Sequence, residues 1–456
     1  MRGAARGVRK RILYRGWAYD RRPEGFPTTY RHRVLVLLSV LLVITYLDRV
    51  CLAIAGPRMQ EALNISPVAW GWVTAMFTIS YAAFEIPSGA MGDRLGPRLV
   101  LTRIVLWWSF FTSLTGVVSN YSLLLATRFC FGMGEAGAYP NTGVAISRWF
   151  PPTKRTSAWG VGMMSSQLGG ALAPLLVVPI QMRYGWRASF YLFGGLGVAW
   201  AIVWYWWFRD SPGEMPAVSR QEVADIGASS RSHRALPWGL AFRSGNLWCV
   251  MGMAASYGYT LYFFQSWFPT YLVKGRGFTE TGLLLSSLPF LVGAGANCCG
   301  GFVSDALVRR VGLKWGRRSL GLVGLGGAAL FMTASAMTDD RLWSLLFLAL
   351  SYGGITIQQP GVLGVCLDIG GKYAGAVTGA MNTATYVAAF VSSVVYGYIA
   401  SSFGYTAPFV PMIVLLVVGA LLWLRVDSTQ EVIAEPAPEA PPSGDVTLAP
   451  LTGFYQ

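Results

Sequence analysis

The chain has 456 residues, 54% of them hydrophobic and 12% charged, with a net charge of +15 and a mean hydropathy of +0.46. A soluble globular domain carries about 25% charged residues, so this composition excludes one; repeated apolar runs of roughly 18 or more residues indicate a polytopic helical membrane protein instead. The basic residues are spread over the loops between those runs, which excludes the clustered footprint of a nucleic-acid-binding module.

Residues 1–33 hold ten Lys or Arg and no short apolar core followed by a small-residue cleavage site. They read as a cytoplasmic basic segment, with the first span serving as the targeting signal. About twelve spans follow, near 34–56, 68–91, 99–119, 122–147, 158–182 and 187–208, then near 246–273, 281–303, 318–337, 342–367, 373–401 and 406–424. The expected division is therefore a first six-helix bundle over 34–208, a cytoplasmic linker over 209–244 and a second bundle over 245–425. The tail, 426–456, contains Glu-Pro-Ala-Pro-Glu-Ala-Pro-Pro and is expected to be disordered.

The first span carries Tyr46-Leu47-Asp48-Arg49 and the fourth carries Arg128 and Glu135. Ionisable groups at membrane depth are costly; they face a bundle interior and mark a substrate or proton path. Arg128 lies roughly 9 Å below the outer end of its span and Asp48 roughly 22 Å above the inner end of its own, so the two share a level. That places Asp48 and Arg128 as the expected ion pair, leaving Arg49 and Glu135 free for anion and proton. Glu85, in Phe84-Glu85-Ile86-Pro87, is a further in-membrane acid, for which a structural or gating pair with an inner-loop Arg is expected. The six cysteines lie in or beside apolar runs without metal-ligand spacing and read as small buried hydrophobes. Both histidines, His32 and His233, sit outside the runs, so proton traffic falls to carboxylates.

Between the second and third spans stands Gly89-Ala-Met-Gly-Asp93-Arg94-Leu-Gly96-Pro-Arg98; between the eighth and ninth stands Gly301-Phe-Val-Ser-Asp305-Ala-Leu-Val-Arg309-Arg310. An acid-then-base turn at the matching loop of each half implies two pseudo-symmetric halves, the arrangement of rocking secondary transporters. Charge sidedness orients them. With the N-terminus inside, the inner segments hold 28 of the 36 Lys and Arg, and the outer loops hold Arg58, Arg183, Arg187, Lys274, Arg276 and Arg341. Both termini are therefore expected in the cytoplasm and the chain in the inner cell membrane.

With these motifs in view, the chain resembles the major facilitator superfamily, and within it the bacterial hexuronate, galactonate and glucarate branch of the anion:cation symporter family. The first inner loop carries the superfamily resemblance. Tyr46-Leu47-Asp48-Arg49, Arg128-Phe129 with Glu135-Ala136, Trp149-Phe150-Pro151, Gly185-Trp186-Arg187 with Phe190, Trp267 to Leu272, and Met381-Asn382-Thr383 carry the branch. These landmarks run in the family's order from about residue 34 to 425.

The resemblance implies an all-α fold of about twelve membrane helices in two six-helix bundles. It implies proton-coupled uptake of a sugar acid by alternating access, with an organic-anion exchanger or an aromatic-acid permease as the alternative. Asp48 and Glu135 would carry protons and Arg49 would receive the substrate carboxylate, a role suited to its planar fork. Tyr46, Tyr81, Gln167, Gln265 and Asn382 would read hydroxyls. Gly89, Asp93, Arg94, Gly96 and Arg98 would form a latch toward the other bundle, repeated less fully by Asp305, Arg309 and Arg310. Gly169-Gly170 and Pro174 on the fifth span could bend or closely pack that helix. No Gly-Lys-Ser/Thr loop, His cluster or Gly-x-Ser-x-Gly is present, so no enzyme activity, ATP use, metal or cofactor is expected. The expected partners are a small organic anion, protons and the lipid bilayer, and the expected state is a monomer.

Overall fold

The computed structural model describes residues 29–226 and 237–433; the side chains of Asp93, Pro152, Thr156 and Lys372, and all of His233, lie outside the described set. The described residues are helical and contain no strand. In the first half α1 covers Tyr30–Ala62, α2 Pro67–Leu95, α3 Pro97–Thr115, α4 Tyr121–Glu135, α5 Ala138–Trp149, α6 Pro152–Tyr184 and α7 Trp186–Trp207. In the second, α8 covers Gly245–Ser266, α9 Ser287–Met337, α10 Arg341–Ile357, α11 Gln359–Gly370, α12 Ala374–Phe403 and α13 Phe409–Trp423.

Local chemistry sets the helix starts at one end of the molecule. Ser66 Oγ accepts from Ala69 N ahead of Pro67, Asn120 Oδ1 accepts from Leu123 N at 2.9 Å, and Asp340 Oδ1 accepts from Leu342 N and Trp343 N. Five stretches are long and apolar enough to cross a membrane unbroken, including α1, α6, α7 and α12. The remaining crossings are shorter, as in α13, more polar, or assembled from broken segments. The expected fourth span is interrupted after Glu135 and resumes at Ala138; the tenth is interrupted at Gln358.

The two halves echo each other at their glycines. Gly96 and Gly312 take φ of +87° and +81°, and Gly185 and Gly404 take +80° and +86°, conformations that disfavour any side chain. Gly312 is the kink inside α9, which joins the expected eighth and ninth spans. The repeat is therefore centred on Gly96 and Gly312 rather than on the acids. After each half's last helix an aspartate returns to the same loop. Asp210 accepts from Arg98 N at 2.9 Å, and Asp427 pairs with Lys314 at 2.6 Å.

The 209–244 linker is more structured than its polarity suggests. A short helix, Arg220–Ile226, buries Glu222, whose carboxylate accepts from Arg31 N at 3.0 Å and Tyr30 N at 3.4 Å. Glu222 thus satisfies orphan donors of α1 and adds charge favourable to a helix N-terminus.

The halves meet along two seams, α2 against α12 and α6 against α9. At one end the first seam is closed to backbone contact. A Cβ on Gly71 would stand 2.7 Å from Ser393 O, and one on Gly397 2.6 Å from Pro67 O. Arg58 of α1 pairs there with Glu280 of the second half, and Gln60 meets Thr270 and Lys274. Toward the other end of the α2–α12 seam, added Cβ atoms on Gly375 and Gly379 would meet nothing within 4 Å. The molecule is sealed at the Arg58 end and parted at the end carrying the Gly89–Arg98 loop.

Candidate functional site

Arg49, Glu135, Asp48 and Arg128 are all buried, none more than 8% exposed. Glycines bring their helices together: a Cβ on Gly132 would lie 2.2 Å from Ser80 Oγ and 2.5 Å from Phe77 O, so α4 can approach α2 this closely only without side chains. Beside the interruption after Glu135, Asn141 Nδ2 donates to Gly137 O at 2.7 Å and to Ser88 O of α2 at 3.1 Å. The break is thus satisfied internally, as irregular backbone at membrane depth requires.

The expected Asp48–Arg128 ion pair does not form. Arg49 Nε instead donates to Glu135 Oε1 at 2.6 Å, and this is the close ion pair of the site. Among the described residues, neither Asp48 oxygen, nor Arg128 Nε, nor Glu135 Oε2, nor Arg49 Nη2 has a hydrogen-bond partner. Neighbours on a helix diverge by about 100°, so Arg49 turns to Glu135 while Asp48 lies near Arg128 without coming within ion-pair distance. A shared level along the membrane therefore does not by itself bring two groups into an ion pair. Arg49 points into the seam and lies over the rings of Tyr81 and Phe77, at 4.9 and 5.1 Å; Arg128 lies 4.2 Å over Phe131.

Arg49, Arg128, Thr74, Phe77, Tyr262 and Gln265 line a cavity of about 10 Å³, room for roughly one water. Of the residues expected to read substrate, Gln265 and Tyr46 meet each other across the halves, Gln265 Nε2 donating to Tyr46 Oη at 3.4 Å. Tyr81 packs at a tilt against Tyr386, centroids 4.4 Å apart. Gln167 accepts from Tyr352 Oη at 3.0 Å on the other seam. Asn382 Nδ2 reaches Glu85 Oε1 at 3.5 Å, so Glu85 pairs across the halves and not with an inner-loop Arg. Gly169 and Gly170 do serve close packing, against the Val43 backbone and the Phe290 ring.

Several tyrosines escaped the sequence reading. Arg49 Nη1 donates to Tyr386 Oη at 3.4 Å, and Tyr139, its ring 5.8 Å from the Arg49 guanidinium, bonds Ser166 at 2.9 Å. The available signal was spacing: Tyr386 is one turn from Asn382, and Tyr139 is four residues past Glu135.

At the latch loop, Gly96 abuts the Asp210 carboxylate and Arg98 Nε donates to Tyr205 O at 2.9 Å, so these partners belong to the loop's own half. Gly89 packs on Pro140, also of its own half, and Arg94 is exposed. In the second half Asp305, Arg309 and Arg310 are exposed and make no ion pair among the described residues. Pairing there is made by Lys314 and by Arg317, the latter 3.3 Å from Asp368. The kink at Gly312 explains the shift, because it turns the residues after it back toward the bundle.

Two helical halves, sealed at one end over a buried arginine-lined cavity and parted at the other, define a membrane transporter rather than an enzyme. The chain belongs to the Major Facilitator Superfamily, whose family model matches residues 38–393. It is 35% identical to a probable sulfoacetate transporter of Cupriavidus necator, over 89% of this chain and 97% of the relative. It is 28% identical to the hexuronate transporter of Bacillus subtilis, over 81% and 88%, and 28% identical to a probable L-galactonate transporter of Escherichia coli, over 80% and 82%. In fold it is similar to the crystal structure of a bacterial homolog of the human lysosomal transporter Spinster, in an inward-facing and occupied conformation. That match has a TM-score of 0.72 at 19% identity, covering 88% of this chain and 97% of the other.

Proposed function

We propose that the protein takes up a small organic anion, a sugar acid such as a hexuronate, aldonate or aldarate, together with protons across the inner cell membrane. The observation that carries this reading is the Arg49–Glu135 pair beside the cavity, with Arg128 lining the same space and, among the described residues, lacking an acidic partner within ion-pair distance. Glu135 holds Arg49 Nε at 2.6 Å, one prong of the guanidinium fork that an arriving carboxylate would use. Protonating Glu135 releases Arg49 to the anion, and by linkage the bound anion must favour that proton equally. The named substrates of the relatives, sulfoacetate, hexuronate and galactonate, are all small anions, which supports the class.

In this reading the bundles 34–208 and 245–425 rock about the site in a monomer, with both termini cytoplasmic. The Arg58–Glu280 end is then the outer seal, and the Gly89–Arg98 loop borders the cytoplasmic opening. The alternatives are exchange of organic anions and carriage of an aromatic acid. Counterflow in proteoliposomes with glucuronate, galactonate, sulfoacetate and phthalate, with and without an imposed pH gradient, decides among them. Accumulation of glucuronate or galactonate that requires the gradient supports the proposal. Counterflow that ignores the gradient makes the protein an exchanger, and phthalate alone as substrate overturns the sugar-acid reading.

A further inference from the structure

Glu85 is a buried acid to which the foregoing mechanism gives no role. It is buried, 8% exposed, on the α2 face that also carries Tyr81 one turn earlier. Its one hydrogen bond is long, from Asn382 Nδ2 at 3.5 Å, and no cation lies within ion-pair distance among the described residues. The groups that face it are Arg49 on α1, Tyr81 on its own helix, and Asn382 and Tyr386 on α12. From the neighbouring α5, Pro140 and Asn141 meet Gly89 and Ser88.

The location is what matters. Along the α2–α12 seam, contact is continuous from Gly397 against Pro67 through Tyr81 against Tyr386 to Glu85 against Asn382. One turn further on α12, a Cβ on Gly379 would meet nothing within 4 Å. Among the described residues, Glu85–Asn382 is thus the last hydrogen bond along the seam before it parts. A carboxylate held there by one neutral amide has little to replace its hydration, whereas a carboxylic acid can both donate to and accept from that amide. Once the seam opens, water reaches the same group and accommodates its charge.

We propose that Glu85 is a third proton-binding site of this carrier, loaded while the seam is closed and unloaded to water as it parts. The step is a simple dissociation: the carboxyl O–H bond breaks, the proton passes to solvent at the open end, and the carboxylate remains. The proposal extends the proton-coupled reading, but its test involves neither substrate nor gradient.

The test is infrared difference spectroscopy, acid minus alkaline, on the full-length protein in liposomes. Wild type should show several protonated-carboxyl components, one of which disappears in Glu85→Gln while those removed by Glu135→Gln and Asp48→Asn persist. Glu85→Asp should move that component to a new frequency, which decides the matter if Glu85→Gln does not fold. Asn382→Leu should shift the same component and no other. A Glu85→Gln or Glu85→Asp spectrum superimposable on wild type overturns the proton site, and no shift in Asn382→Leu overturns its link to the seam. Loss of gradient-driven uptake by wild type would count against coupling at Glu135 and leave the infrared result standing.

Discussion

Arg49 and Glu135, 86 residues apart in sequence, are joined at 2.6 Å in the interior of the first half. Tyr386 of the second half contacts the same guanidinium at 3.4 Å. The pair therefore sits where binding chemistry and the movement of the halves meet: whatever separates Arg49 from Glu135 acts beside the only cross-half hydrogen bond to that guanidinium among the described residues.

Replacing Glu135 by Gln removes the competing carboxylate permanently. Anion affinity should be retained or rise at neutral pH and become less pH-dependent, while uptake against a gradient driven by pH is abolished and exchange survives. Calorimetric titration and proteoliposome uptake, run on the same variant, check both halves of this expectation. Normal uphill accumulation would make Glu135 structural and leave Asp48 as the coupling group.

Arg49→Lys keeps the charge and loses the planar fork that spans Glu135, Tyr386 and the aromatic faces. Anion affinity should fall by about tenfold or more in protein that still reaches the membrane. Unchanged affinity would remove Arg49 from the binding site.

The Arg58–Glu280 contact locks one end across the halves, but its side chains are 28% and 37% exposed. An ion pair so accessible is worth about 0.2–1 kcal/mol, so Arg58→Ala should shift the sealed-to-unsealed population by no more than about fivefold. The exchanged pair, Arg58→Glu with Glu280→Arg, should restore part of the shift. Accessibility of an engineered cysteine near Thr270 to a membrane-impermeant reagent measures it.

At Gly71 the seal is backbone against backbone, and a side chain there meets Ser393 O. Overpacking costs about 1–3 kcal/mol, here only in the sealed state. Gly71→Leu should therefore slow transport by roughly tenfold or more and hold the Arg58 end open, with thermal stability of the separate halves little changed. Wild-type transport rates would show that the seam does not close in the working cycle.

The Lys314 and Thr429 hydrogen bonds hold the Asp427 carboxyl down to about 2. Because this lies below the ordinary carboxylate range, the pair's stabilisation is fully present above about pH 4 and is lost as pH falls toward 2. The lysine is well exposed, so the contribution should be under about 1 kcal/mol. Asp427→Asn should lower the melting temperature slightly at pH 7, and the difference from wild type should vanish near pH 2. A difference unchanged by acid would assign the effect to the Asn246 and backbone contacts.

Much of this protein could be read from the chain alone, and the reasons are one-dimensional. Apolar run length set the number of crossings because the membrane core fixes how many residues a helix needs. The scarcity of charge inside those runs singled out Asp48, Arg49, Glu85, Arg128 and Glu135, because each is costly where it stands. The repeated inner loop gave two related halves. Which acid meets which base was a different matter, because it depends on the rotation of one helix about its axis relative to another, and depth along the membrane carries no information on rotation. Gly132 against Ser80, the break after Glu135 and the kink at Gly312 decide those rotations through close packing. Only the assembled structure turns Arg49 to Glu135, leaves Asp48 unpaired and sets Glu85 against Asn382 at the mouth of the seam.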